Sequence, residues 1–181
     1  MLLRLIPKEH FSLKFDKTLD LNTSIFNGLQ YIGFDGNTYH FINNATSNFT
    51  AKFKFTDDSE LVIPIEVYNR QWQICSPFEL TITQLEDNAS LSVVNWYNDY
   101  FFRYSTSGNV IVFANQTDVL FRIVVGGQQC VFEHLDQFNN SISTIYVNDT
   151  RSKISFILKP NEKLYVTTKQ SVIFRTEKEV Q

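Results

Sequence analysis

Three histidines, two cysteines and nineteen acidic side chains are the groups from which this 181-residue chain could build a metal centre or an acid–base pair. His10, His40 and His134 stand apart, with no His-x-His, His-Glu-x-x-His or Cys-x-x-Cys beside them, so no zinc ligand set is spelled out. Asp57, Asp58 and Glu60 crowd one turn, but they lack the alternating Asp/Asn spacing and bidentate Glu of a calcium loop and read as solvated turn carboxylates. A glycosidase needs two carboxylates about 5 to 10 Å apart on facing strands. Glu66, Glu79, Glu86 and Glu133 are the candidates, and nothing in their spacing selects a pair. No Gly-x-Ser-x-Gly elbow or phosphate-binding glycine pattern occurs. The expectation is a chain with no catalytic residues, no cofactor and no metal.

Aromatic residues offer a different chemistry. Trp72, Trp96, Tyr97 and Tyr100 could form a platform on which sugar rings stack while neighbouring Asn and Asp side chains bond the hydroxyls. Against this stands burial: a chain with 17 Phe must hide most of its large rings, and both tryptophans also suit a core. Pro64 marks a second kind of surface. Lacking an N–H, it should place its strand at a sheet edge or a bulge, where another chain can pair.

The elements that must carry these residues are strands. Aromatics are 15% of the chain, while Gly (6) and Pro (4) are few, so the sixteen Asn must serve many of the turns. Ala51, Phe53 and Phe55 alternate with Lys52, Lys54 and Thr56, Asp57-Asp58-Ser59 turns the chain, and Leu61, Ile63, Ile65 and Val67 resume the apolar face. Phe34-Asp35-Gly36-Asn37 between apolar runs predicts a hairpin over Leu29 to Ile42. A second hairpin is predicted at Val119 to His134, turning at Gly126-Gly127 and placing Ile123 opposite Cys130 and Phe121 opposite Phe132. Further strands are expected at 71–75, 78–83, 110–114, 142–147, 154–158, 163–167 and 172–175. Leu91 to Tyr104 also has helical spacing, but its aromatic content favours strand. The fold class is therefore all-β, an antiparallel β-sandwich of jelly-roll type. It is either one domain over 1–181 or two small sandwiches, 1–87 and 88–181, divided near Leu85 to Ser90.

A net charge of −3 with no basic cluster argues against nucleic acid as a partner. Met1 to Ile6 is too short for a signal-peptide core or a membrane span and reads as a first strand, so neither a membrane nor export by a signal peptide is expected. Seven Asn-x-Ser/Thr sites, at Asn22, Asn44, Asn48, Asn88, Asn115, Asn139 and Asn148, are explained by Asn and Thr gathering in turns. Cys75 and Cys130 are expected to be buried thiols.

The run Ile154-Ser155-Phe156-Ile157-Leu158-Lys159-Pro160-Asn161-Glu162-Lys163-Leu164-Tyr165-Val166 resembles a Leu-x-Pro-x-Glu-x-Leu hairpin of jelly-roll and related sandwich modules in tailed-phage virion proteins. Asn161 stands where such hairpins often have Gly. The resemblance implies a non-enzymatic structural protein of a virus or phage particle, a capsid auxiliary, decoration or tail-associated module. Its sheet edges and loops would bind other virion proteins or copies of itself. A carbohydrate-binding sandwich using the exposed aromatics, with surface glycans as partners, is the alternative from a different class.

Overall fold

The computed structural model describes residues 1–75, 80–82, 91–96, 100–107, 110–147, 153–168 and 172–180, and among these every regular element is a strand. Two sandwich-like units follow each other along the chain. In the first, β1 (Leu3–Leu5), β6 (Glu60–Val67) and β5 (Phe49–Lys54) form one sheet, with β6 in the middle. A second sheet is built from β2 (His10–Lys14), β4 (Thr38–Asn43) and β3 (Leu29–Asp35), with β4 in the middle. The expected alternation holds: Ala51, Phe53, Phe55, Ile63 and Ile65 are buried, and Leu61 and Val67 pack against them. Phe41 anchors this core, with Phe53 edge-on at 5.6 Å and Phe11 stacked at 5.6 Å. Aromatic pairs of this kind add to simple burial.

In the second unit a six-stranded sheet runs β14 (Ser141–Val147), β13 (Cys130–Leu135), β16 (Lys163–Thr167), β11 (Val110–Asn115), β10 (Tyr100–Ser107), β9 (Leu91–Trp96). The other sheet runs β15 (Ile154–Leu158), β12 (Phe121–Gly127), β17 (Val172–Glu179), β7 (Trp72–Ile74), and β8 (Leu80–Ile82) also pairs with β17. Sheet membership thus changes between Val67 and Trp72. The Leu85 to Ser90 segment, predicted as a boundary, lies outside the described residues. The ambiguous stretch after Leu91 is a β9–β10 hairpin with Trp96 opposite Tyr100.

Of the predicted hairpins, those turning at Gly36-Asn37 and at Asp57-Asp58-Ser59 form and two do not. Asp35 pairs with Thr38 across Gly36-Asn37, and Gly36 has φ 62°, the positive value that a type II′ turn requires at its first central residue. The Gly126-Gly127 hairpin is absent. Both glycines stay in β12, opposite Ile173 and Val172 of β17, and the chain turns afterwards, with Gln129 at φ 51°. Ile123 faces Phe156 in the β15 register and Cys130 faces Val147 in the β14 register, so the segment is a corner between sheets. The reason is visible in burial: Arg122 and Val124 are covered along with Phe121, Ile123 and Val125, whereas a free hairpin would leave one face wet. The Lys159 to Glu162 turn is a second such corner, since β15 pairs with β12 while β16 pairs with β11 and β13. Asn161 takes φ 68° there, the left-handed conformation that Asn tolerates.

Pro64 also departs from expectation. Its strand is the middle one of its sheet, but β1 begins pairing only at Ile65, so Pro64 has a register partner only in Thr50. The missing donor is accommodated just before β1 takes up that side.

Candidate functional site

Where the two units meet, the chain buries charge. Arg4 on β1 reaches into the second unit, where its Nη1 donates to the Ile157 carbonyl at 3.1 Å and pairs with Glu162 Oε1, and its Nη2 donates to Glu162 Oε2 at 3.2 Å. Glu162 also accepts the Lys159 N–H at 2.8 Å and faces His134 Nε2 at 3.1 Å. Burial alone would push the Glu162 carboxyl up, but His134, Arg4 and the Lys159 N–H together bring it down to about 2. Burial lowers the pKa of His134 against the pull of Glu162. A neutral ring can bond an ionised carboxylate only as a donor, which places the His134 proton on Nε2.

Glu9 lies nearby in the same junction, its Oε1 accepting the Ser155 N–H at 3.0 Å and its Oε2 the Ile6 N–H at 3.1 Å. Desolvation outweighs those bonds and Arg122, and pushes the carboxyl up to about 8. A third buried pair, Arg122 with Glu177, joins β12 to β17. The two arginines each face a buried carboxylate, the condition for keeping charge out of water, although the Nε of each is buried without a hydrogen-bond partner among the described residues.

The open surface above Arg4 is built differently. Glu66, Val67, Tyr68, Asn69 and Arg70, the end of β6 and the segment after it, form with Asn48 and Lys159 a groove of about 480 Å³. The Tyr68 N–H bonds the Leu5 carbonyl at 2.9 Å, which continues the β1–β6 pairing and fixes this wall. Lys159 comes from the second unit, at the corner that Glu162 ties to Arg4, so the groove straddles the junction. Three planar side chains in it are each held by one atom. Asn48 Oδ1 accepts the Val67 N–H at 2.8 Å, Asn69 Nδ2 donates to the Thr46 carbonyl, and Glu66 Oε2 accepts the Tyr68 hydroxyl at 2.8 Å and lies 3.4 Å from Arg4 Nε. Their other polar atoms, Asn48 Nδ2, Asn69 Oδ1 and Glu66 Oε1, have no partner among the described residues. Tyr68 is pushed up to about 12 by burial and by Glu66, so it remains a hydroxyl donor.

A second open groove of about 470 Å³ lies between Lys14, Phe15, Asp16, Asn37 and the exposed Tyr146 ring. It also spans both units, but it offers fewer anchored polar groups.

No family model and no curated protein matches this chain. Among solved structures, it is similar to the CBM51-2 and INT domains of Clostridium perfringens ZmpB at 12% identity and a TM-score of 0.35, covering 99% of this chain and 47% of that one. The same pair of domains with GlcNAc bound to CBM51-2 gives a TM-score of 0.34 at 12% identity, covering 97% of this chain and 47% of that one. SGBP-B of the Bacteroides ovatus mixed-linkage glucan utilization locus, in complex with a mixed-linkage heptasaccharide, is matched at 9% identity and a TM-score of 0.25, covering 96% of this chain and 70% of that one. This chain spans about half the length of the ZmpB chains. What the groove can bind follows from its own side chains.

The residues singled out in sequence are scattered. Trp72 is half-buried on β7, its Nε1 buried without a partner among the described residues, while Trp96 and Tyr100 are register partners in the β9–β10 pairing of the other sheet and Tyr97 lies outside the described residues. Pro64 is exposed on β6, a few residues before the groove. Glu66 reaches the groove and Glu133 sits on β13, while Glu79 and Glu86 lie outside the described residues. Among the described residues no three His, Cys, Asp or Glu side chains gather as a metal site would require. Cys75 and Cys130 are buried thiols whose pKa values burial raises, Cys75 to about 11. Asn115 is buried and its amide donates to the Val119 and Leu158 carbonyls, so that acceptor site is a structural asparagine. Sequence reasoning missed Tyr68, Asn69, Arg70 and Lys159. The run of polar planar side chains directly after the Val67 strand was the available signal.

Proposed function

We propose that this chain is a non-enzymatic binding module whose ligand is a saccharide, held in the groove of Asn48, Glu66, Tyr68, Asn69, Arg70 and Lys159. The observation that carries this reading is the half-anchored geometry of Asn48, Asn69 and Glu66. Each planar group is fixed by one atom and presents the other, so a ligand rich in hydroxyls meets donors and acceptors already in place. Val67 and Tyr68 supply the less polar wall that a sugar ring needs. A glycan array probed with the whole chain tests it. Retention of defined glycans that Asn69→Ala and Glu66→Gln abolish supports the reading, and no retention on any glycan ends it.

A second reading, assembly with copies of itself through a sheet edge, has one observation in its favour. The edge strand β3 exposes Ile32 and Phe34, the latter 62% accessible, beside unpaired backbone groups. A second copy pairing along that edge would cover them. Concentration-dependent dimers in sedimentation, lost in Phe34→Lys, support assembly, and a monomer at all concentrations removes it.

A further inference from the structure

The groove's charge narrows the class of sugar, and this step rests on the saccharide reading above. Three of its lining residues are ionic: Glu66, Arg70 and Lys159. Glu66 is already countered by the buried Arg4 guanidinium at 3.4 Å. Arg70, 58% exposed along its side chain, has only Glu179 at 3.8 Å from its Nε, and the Lys159 ammonium has no partner among the described residues. The groove therefore presents one cation with no partner among the described residues, Lys159, and a second, Arg70, held only by one long ion pair, on a chain whose net charge is −3. Neutral sugars need no such pair.

We infer that the groove takes an acidic saccharide, its carboxylate bound by Arg70 and Lys159 and its ring hydroxyls by Asn48, Asn69 and Glu66. The guanidinium fork matches a carboxylate with two parallel N–H donors, and the ammonium adds a point charge without fixed direction. Glu66 Oε1 and Asn69 Oδ1 accept from hydroxyls, and Asn48 Nδ2 donates. This division separates the charged end of the ligand from its hydroxyl face. Its two cations come from the segment after β6 and from the β15–β16 corner, so a bound carboxylate would bridge the two units.

The test is calorimetry on the full chain with trisaccharides of galacturonate, glucuronate and N-acetylneuraminate, each beside its carboxyl-reduced counterpart. The expected result is that at least one acidic trisaccharide binds about tenfold or more tighter than its reduced form. Its affinity falls when salt is raised, because exposed charges are screened over about 10 Å at 0.1 M. Lys159→Ala removes most of the acidic preference and Lys159→Arg restores it. Equal affinity for acidic and reduced forms overturns this inference while leaving the saccharide reading intact. Absence of binding by every acidic and neutral sugar overturns both. Acidic binding that survives Lys159→Ala but is lost in Tyr146→Ala overturns the placement in this groove in favour of the one beside Tyr146.

Discussion

Arginine and glutamate occur in two settings a few ångströms apart, and they do different work in each. Below the surface, Arg4 and Glu162 are closed on each other and on His134, Ile157 and Lys159, and they lock the two units together. Above, Glu66 keeps one oxygen on Arg4 and Tyr68 and leaves the other open, beside Arg70 and Lys159. Charges paired with each other below the surface fix a structure, and half-anchored groups on that fixed structure recognise a ligand. Glu66 belongs to both settings, because the network that holds the junction also holds the groove wall.

The largest effect should come from cutting the buried side of this comparison. Arg4→Met leaves Glu162 ionised and short of partners, and it should cost about 3–5 kcal/mol in urea unfolding, as breaking one side of a buried pair does. Arg4→Met combined with Glu162→Leu should be much less harmful, because no charge is then stranded. Equal losses in the single and double variants would show that packing, not charge, governs the site.

A smaller effect sharpens the contrast through pH. Glu9, pushed up to about 8, prefers its protonated form in the fold, so its contribution is complete below the ordinary Glu pKa of about 4.3 and is lost as pH climbs through about 8. Glu162, held near about 2, behaves oppositely: its contribution is complete above about 4.3 and is lost as pH falls toward 2. His134, its pKa lowered, contributes above its ordinary value of about 6.5 and loses that contribution as acid protonates it. Unfolding free energy compared between wild type and Glu9→Gln isolates the first term. The variant should lose the decline with rising pH between about 4.5 and 8, and parallel curves would refute an elevated Glu9.

Trp72 stands between core and surface. Half-buried, it should cost about half of the ~3–5 kcal/mol of a fully buried ring when truncated to Ala, measured by the same denaturation. A full loss would make it a core residue, and a loss within about 0.5 kcal/mol would return it to the list of stacking platforms.

Alternation made the strands legible in sequence, and Ala51 to Phe55 and Leu61 to Val67 face the core as their spacing implies. Partnering was less legible. Gly126-Gly127 is compatible with a tight turn and with extended strand, and the choice was made by β15 and β17, which pair with the two edges of β12 from far along the chain, while residues on both of its faces are buried. The groove was hidden for the same reason, because residues near 48, 66–70 and 159 meet only after both units fold. Glu162 lay within the Leu-Lys-Pro-Asn-Glu run, yet its role depends on Arg4, which no local pattern links to it.

The smallest expected effects on stability lie in the groove. Asn69→Ala and Lys159→Ala should shift unfolding by no more than about 0.5 kcal/mol, since both side chains are exposed. Their consequence should appear in binding alone. The most direct measurement is an NMR titration of the labelled chain with a glycan retained on the array, following the side-chain amides of Asn48 and Asn69 beside those of the buried Asn43 and Asn115. Saturating shifts at Asn48 and Asn69, with Asn43 and Asn115 unmoved, are the predicted result. Saturating binding that leaves Asn48 and Asn69 unmoved would contradict it.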